Sequence, residues 1–516
     1  MVFRIFSQNF KRSLLKWQDF GGEVFSRAAV RCDVSNMFMR FFIVILLFVN
    51  LNHSFSQKQG NIWYFGEGAG LDFNSGFPVE LNNGSTYSCL GHVEGTSTIS
   101  DSSGALLFYT NGVEIWNRNH QIMQNGFGLE GSISATQSSL IVPLPGSSRF
   151  FYVFTVDGFI CGNNLGNGLR YSIVDICMDG GLGGVILSSK NTPLLDSTSE
   201  KITAVKDANG TDYWIITHRH YSDAFYCFKL TSSGLSLPII SHSGSIHDGG
   251  NMGAIGQLKA SPNGQKLSIA SGNGNNHIEI FDFDNNTGVV SNPIILPRPF
   301  PDSRAYGTSF SPDNSKVYYT LISYSPIGTQ IIQFDLNAGT GDSSSIVNSS
   351  TLIWSSTTTA ISGLGLQIGP DEKVYCIFSN SVFNNPNLPG TLSDFQLNAY
   401  TLSSYPGYCF PNLVDSYDYE NTIYYCTESI EENGNIFFSN IYPTPAENIV
   451  NIELNLSIPQ ECSLRIFNSQ GLEVYTILEI TNKLVTIERK NLPTGLYYFY
   501  MYDKNRIIDR GKILFN

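Results

Sequence analysis

Two short stretches carry residue types that could do chemistry. Thr217-His218-Arg219-His220 places two imidazoles at i and i+2. On a strand these share one face and could ligate a metal. The stretch from His242 to Asp248 (HSGSIHD) adds His247 and Asp248. The competing reading is structural, because His and Arg at loop ends are usually solvated or bonded to backbone. His218, Arg219, His220, His247 and Asp248 therefore stand as a candidate ligand site, with no catalytic, cofactor-binding or metal role assigned. The run Asp282-Phe283-Asp284-Asn285-Asn286-Thr287-Gly288 hints at a calcium loop. It has Thr287 where that loop needs glycine and lacks the closing glutamate, so it reads as a strand followed by a turn. No nucleophile elbow, phosphate-binding loop or dinucleotide fingerprint occurs.

The elements that must position these residues are short strands divided by turn chemistry. Gly256 to Leu296 reads as four strands in about forty residues, the size of one propeller blade. Its first turn is Pro262-Asn263-Gly264, where Pro fixes φ while Asn and Gly tolerate positive φ. Similar units carry Ser311-Pro312-Asp313-Asn314 and Gly369-Pro370-Asp371-Glu372. Earlier copies turn at Asp101-Ser102-Ser103-Gly104 and at Asp207-Ala208-Asn209-Gly210, and another spans Ser139 to Leu187. One blade cannot bury both faces alone, so repetition supplies the core. The expected fold is all-β: a β-propeller of seven blades, with six as the alternative, followed by a small C-terminal β-sandwich. The seventh blade is expected to be composite, joining residues 60–82 to Asn421–Cys426 and hiding both strand edges. Leu258, Ile269, Ile280 and Phe281 are expected to be buried between blades.

Composition agrees. The chain has 516 residues, of which 14% are charged and 13% aromatic, with 48 Gly, which favours short aromatic strands and many turns. Net charge is −13, and becomes −17 once residues 1–56 are set aside. Such a surface repels phosphate backbones and excludes nucleic acid as a partner.

Phe41 to Val49 is a nine-residue apolar run after Arg40, followed by small Ser54 and Ser56. This is the pattern of a secretory signal peptide over residues 37–56, with cleavage between Ser56 and Gln57. The run is too short to span a hydrocarbon core of about 30 Å. Residues 1–36 sit awkwardly ahead of it and are expected to be a mis-annotated upstream extension, with translation starting at Met37 or Met39. Export permits disulfides. Cys161 with Cys177 and Cys409 with Cys426 are close enough in sequence to pair, although connectivity cannot be read from sequence. No CxxC or paired-His spacing suggests zinc.

Residues 427–435 read as an acidic linker between the propeller, 57–426, and a module at 436–516. The module opens with Tyr442-Pro443-Thr444-Pro445-Ala446 and runs as alternating strands. It carries Gly471 in a hairpin turn, the strand entry Leu492-Pro493-Thr494-Gly495-Leu496-Tyr497, and Lys512 near its end. Six or seven short strands in about 75 residues make a small sandwich. It resembles the type A C-terminal sorting domain of the type IX secretion system. Thr444 departs from that pattern, where the family usually has Asn. The residues carried over are Tyr442, Pro443, Pro445, Ala446, Gly471, Pro493, Gly495, Tyr497 and Lys512. The segments WYFGEGAGLDF, SDSSGALLFYTNG, EKITAV and SPDN before VYY resemble those of exported propeller proteins from gliding, Bacteroidetes-type bacteria, over Asn61 to Cys426. The resemblance implies a route through the periplasm to secretion or the outer cell surface. It also implies the type IX machinery as a partner and attachment to a surface glycolipid. No cofactor is expected.

Two function classes follow. One is non-catalytic binding or adhesion to a protein or glycan ligand, with loops on a rigid ring. The other is an extracellular hydrolase or lyase acting at the propeller channel. Carboxylates and His converging at a channel mouth, with shifted pKa values, would favour the second. A channel lined by small and apolar residues would favour the first.

Overall fold

The repeated Ser-Pro-Asx stretches close their hairpins by one device. Ser261 Oγ donates to Asn263 Oδ1 and accepts from the Lys266 N–H, at 2.7 and 2.9 Å. Ser311 does the same with Asp313 and Lys316, at 2.7 and 2.8 Å. The residue two after each proline, Gly264, Asn314 or Glu372, has positive φ, as these tight turns require. Pro262, Pro312 and Pro370 thus occupy the first hairpins of three consecutive sheets. The computed structural model describes residues 57–159, 166–247, 250–272, 278–297, 303–324, 327–357, 364–419, 426, 440–454, 462–468, 472–503 and 506–516.

Seven antiparallel sheets follow one another along residues 62–396. The first blade is Ile62–Phe65, Ala69–Asp72 and Val79–Leu81; the second is Ser97–Ser100, Leu106–Thr110 and Ile115–Asn117. The third is Ser139–Pro143, Phe150–Val156 and Leu169–Asp175, with Gly184–Val185 and Thr192–Leu195 both pairing to its third strand. The fourth is Ile202–Lys206, Tyr213–His218 and Ala224–Thr231, edged by Gly234–Leu235 and Ile239–His242. Four strands each make the fifth (Leu258–Ala260 to Val289–Leu296), the sixth (Arg304–Phe310 to Thr351–Ser356) and the seventh (Leu366–Ile368 to Phe395–Gln396).

The first strands of successive blades lie side by side and form the inner wall. Hydrophobic clusters seal each blade to the next. Leu258, Ile269 and Phe281 pack with Val205 and Trp214 of the fourth blade. Ile280 packs with Phe310 and Val317 of the sixth. All four residues expected between blades are buried there. The ring closes where Tyr375, Ile377 and Val382 of the seventh blade join Trp63, Phe65 and Leu71 of the first. Trp63 meets Tyr375 edge-on, with centroids 5.7 Å apart. Such aromatic pairs add about 0.5–1.5 kcal/mol beyond the area they bury.

One expectation is corrected, and another falls outside the described residues. Residues 62–81 form a three-stranded sheet, and of the Asn421–Cys426 segment expected to join it only Cys426 is described. A disulfide joins Cys177 to Cys426, 249 residues apart, and Cys409 is a buried free thiol. Sequence proximity misled because Cys409 is buried beside Tyr306 in the ring interior, whereas Cys426 bonds to Cys177 just past the end of a third-blade strand. Cys161 lies outside the described residues.

The C-terminal module has two sheets. One pairs Asn440–Tyr442, Ile449–Glu453 and Leu484–Glu488; the other pairs Glu473–Ile477, Cys462–Asn468, Gly495–Asp503 and Arg506–Phe515. Period-two alternation sends Val450, Ile452, Leu464, Ile466, Val485, Ile487, Phe499 and Met501 into one core of its own. Among the described residues no helix is long and apolar enough to cross a membrane.

Candidate functional site

The ring interior is filled by the chain itself. After the seventh blade, residues 409–419 run along the inner strands as a plug. Pro411 bridges in parallel to Thr96, and Val414 to Ala204. Phe410 packs on Trp63 and Phe65, with centroids 5.2 and 5.1 Å away. Cys409, Leu413, Val414 and Tyr419 are buried.

Two polar residues fasten the plug. The Asn412 N–H donates to Thr96 O at 2.7 Å, and its Nδ2 donates to Ile202 O at 2.8 Å and Ser139 O at 3.2 Å. Its Oδ1 accepts from Gln137 Nε2 at 3.1 Å and Lys259 Nζ at 3.3 Å. One residue thereby satisfies groups from the second to the fifth blade, its side chain those of the third to the fifth. Asp415 Oδ2 accepts from the Ala260 N–H at 2.7 Å and from Thr203 Oγ1. Its Oδ1 lies 3.2 Å from Lys259 Nζ, which also donates to Gln367 Oε1 of the seventh blade at 2.7 Å. Burial lifts the Asp415 carboxyl above its usual range, and the Lys259 charge with these hydrogen bonds opposes that. The lining is not the small and apolar one that would by itself favour binding: the inner strands turn Lys259, Gln367 and Thr203 inward, where Asp415 and Tyr417 of the plug supply partners.

At one end of the ring a second polar cluster forms. Glu94, Thr136 and Glu200 each stand two or three residues ahead of an inner strand, so the ring brings them together. Tyr306 Oη donates to Glu94 Oε2 at 2.5 Å, and Cys409 Sγ lies 3.5 Å from the same hydroxyl. Glu200 accepts from the N–H groups of Thr136 and Phe159, at 3.0 and 2.9 Å. Lys201 Nζ donates to Ala254 O at 2.6 Å and Ile255 O at 2.8 Å. Glu94 and Glu200 are 6% and 0% exposed. Burial raises the Glu94 carboxyl well above its usual range, and the Glu200 charge raises it further. Burial likewise raises Glu200, against the backbone bonds that favour its charge. Lys201 is pushed down to about 7 by burial, with Glu200 opposing. In chemical terms this is a pair of buried carboxyls, both raised, beside a lysine pushed down to about 7, groups capable of general acid and base work.

The histidines expected from sequence adjoin Lys201. His218 ends its strand fully buried, and its ring stacks on His247 with centroids 4.1 Å apart. His247 Nε2 lies 3.6 Å from Glu279 Oε2, and Glu279 Oε1 accepts from the Ser245 N–H and Oγ at 3.0 Å. Burial, then His247 and Lys201, hold His218 well below the usual imidazole range. His220 lies past the strand end and packs on Tyr221 at 4.1 Å, so the i, i+2 alternation does not pair it with His218. Burial pushes His220 down to about 4. Arg219 points outward to Asp196 at 3.1 Å and Tyr226 Oη at 3.2 Å. Asp248 lies outside the described residues. Among the described residues no three His, Cys, Asp or Glu are grouped to hold a metal.

Sequence reasoning missed Glu94, Glu200, Lys201, Tyr306, Lys259, Asn412 and Asp415. The available signal was a charged residue just ahead of an inner strand, in VEGTSTIS and SEKITAV. The plug carries no motif.

A pH dependence follows from Glu94. Its folded pKa is raised, so the stability present below the usual carboxyl range, near pH 4.5, is lost as pH rises through the folded value. Glu94→Gln keeps an acceptor for Tyr306 and removes the charge. The variant should melt about 2 °C or more above the wild type at pH 8–9 and close to it at pH 4. Parallel melting curves across that range would refute the assignment.

In the C-terminal module the motif residues have defined places. Ala446 is buried, donates its N–H to Leu514 O at 2.8 Å and accepts from the Asn516 N–H at 2.9 Å. Tyr442, Pro443 and Pro445 lead into it. Tyr497 is buried against Phe515 and donates to Pro493 O at 2.8 Å. Gly495 opens a strand with φ of 152°, and exposed Lys512 stands opposite Tyr498. Gly471 lies outside the described residues.

Residues 440–514 match the family described as the secretion system C-terminal sorting domain. The chain thus carries a type IX sorting domain and is exported to the cell surface or the medium. No curated protein matches the chain. Among solved structures, a Lactobacillus plantarum protein is 15% identical with a TM-score of 0.40, covering 68% of this chain and 98% of its own. The extracellular domain of a putative one component system from B. thetaiotaomicron is 11% identical with a TM-score of 0.34, covering 88% of this chain and 56% of that one. A putative 6-phosphogluconolactonase from Bacteroides fragilis is 12% identical with a TM-score of 0.30, covering 63% and 99%.

Proposed function

We propose that this exported propeller is a non-catalytic binding or adhesion protein, displayed at the outer cell surface or released from it. The observation that carries the reading is the plug. Residues 409–419 occupy the space that a channel-bound substrate would need, and Asn412 with Asp415 ties them to the inner strands of the second to fifth blades. Binding then falls to loops and blade surfaces on a rigid scaffold. The same reading takes residues 1–36 as an upstream extension outside the exported protein. It takes 37–56 as a signal removed between Ser56 and Gln57, 57–426 as the propeller, 427–435 as a linker and 436–516 as the sorting domain. After export the sorting domain is exchanged for attachment to a surface glycolipid.

The second reading, a hydrolase or lyase, is favoured by one observation, the meeting of Glu94, Glu200, Lys201 and Tyr306 at one ring end. Against it, both carboxylates are buried and their oxygens already accept from Tyr306, Thr136 and Phe159. The test is turnover by purified residues 57–516 on glycan and peptide substrates between pH 5 and 9. The expected result is no turnover. Activity abolished by Glu200→Gln or His218→Ala would replace the first reading with the second.

A further inference from the structure

We propose that the outer face of the four-stranded sheet in the C-terminal module is the surface by which the chain docks on an acidic protein surface of the type IX machinery. The proposal deepens the export assignment and rests on it. Register defines the face. Phe499 and Met501 point into the module core, so Tyr498, Tyr500 and Tyr502 of the same strand point out. Lys512 stands beside Tyr498 and Arg510 beside Tyr500 on one neighbouring strand, with Phe467 and Arg465 beside them on the other. Two cross-strand rows result, Phe467-Tyr498-Lys512 and Arg465-Tyr500-Arg510, and Leu496 pairs with Leu514 at one end. Phe467 meets Tyr500 edge-on with centroids 5.5 Å apart, and the Arg465 guanidinium sits 5.2 Å from the Tyr502 ring centre. Leu496 and Leu514 are 37% and 39% exposed, and Arg465, Arg510 and Lys512 are exposed. Glu473 on the edge strand lies 3.7 Å from Arg465, and Asp509 is buried.

Two features identify the partner. The first is composition. The solvent face of an antiparallel sheet is ordinarily polar. This one is built on tyrosine and arginine, the residue types that anchor protein interfaces. The second is charge. Residues 57–516 carry −17, yet 440–516 hold eight basic and eight acidic residues and are neutral. The charges are also sorted within the module. The three strands of the other sheet contain no Lys or Arg, and they expose Glu453 and Glu488. An acidic receptor is drawn to the Arg465-Arg510-Lys512 face and repels the cargo, so it takes the module in one orientation. An anionic lipid surface is the poorer fit, because it extends beneath the cargo as well and repels it.

The test uses the full chain in cells, followed by fractionation. Arg465→Glu with Arg510→Glu should lower the exported fraction about tenfold or more and leave the protein in the periplasm. Purified residues 57–516 with the same changes should melt with the wild type, because both side chains are exposed. Arg465→Gln with Arg510→Gln removes the charges more gently and should arrest export in the same direction, which decides the matter if the first pair fails to fold. Glu453→Lys with Glu488→Lys, on the opposite sheet, should export normally. A photo-crosslinking benzoylphenylalanine in place of Tyr498 should capture a component of the secretion machinery, identified by mass spectrometry, and one in place of Thr486 should not. Normal export of the arginine variants would refute the face, and arrest on deleting residues 436–516 would then leave the sorting role itself intact. Equal arrest by the glutamate pair would also refute it. So would crosslinks to lipid alone, with flotation of residues 57–516 on phosphatidylglycerol vesicles that Arg465→Glu with Arg510→Glu abolishes; that result would assign the face to the membrane.

Discussion

Asp415→Ala is expected to destabilise the propeller by about 3–5 kcal/mol, the usual cost of leaving one partner of a buried ion pair alone. Lys259 Nζ would lose its carboxylate at 3.2 Å while remaining buried, and the Ala260 N–H would lose its acceptor at 2.7 Å. For a ring of this size the melting temperature should fall by roughly 4–7 °C. The companion variant separates charge from packing. Lys259→Met with Asp415→Leu removes both charges and keeps the volume, and should melt much closer to the wild type than Asp415→Ala does. If Asp415→Ala melts with the wild type, the plug is not seated as described.

Deleting residues 436–516 is expected to stop export at the periplasm without unfolding the propeller. The C-terminal module builds its core from its own residues, among them Val450, Leu464, Phe499 and Ile513, and the ring builds its clusters from residues before 420. Units with separate cores fold separately. Fractionation of cells, with an antibody against the propeller, should find nearly all of the truncated protein in the periplasm and the full chain at the surface or in the medium. Normal surface display of the truncated protein would remove the sorting role from residues 436–516. Gly495→Val should act in the same direction more weakly, since φ of 152° is unfavourable for a β-branched residue.

What was legible in the sequence was local. The Ser-Pro-Asx turns at Pro262 and Pro312 work through bonds two to five residues apart, so the blades could be counted from their hairpins. The sorting domain was legible because Pro443, Pro445, Pro493 and Gly495 shape short stretches of backbone in a fixed order. What escaped was long-range. Asn412 contacts residues 153 to 316 positions away in sequence, and neither FPNLVDSY nor any turn signal marks it as a plug. Glu94 and Tyr306 meet across 212 residues, and Cys177 finds Cys426 across 249. His218 and His247 could be singled out by type. Their stacking arises because His218 ends the second strand of the fourth blade and His247 lies in the connection to the next blade, a matter of ring geometry and not of spacing.

The central claim, that the ring is closed by its own chain and leaves no substrate passage, is tested most directly by amide hydrogen exchange of the exported protein across residues 409–419. The N–H groups of Asn412 and Asp415 donate to Thr96 and Ala204 inside the ring. The account predicts that this segment exchanges as slowly as the inner strands Ile202–Lys206 and Leu258–Ala260, at rates set by global unfolding. Exchange as fast as that of an exposed loop, with the inner strands still protected, would mean an open channel and would contradict it.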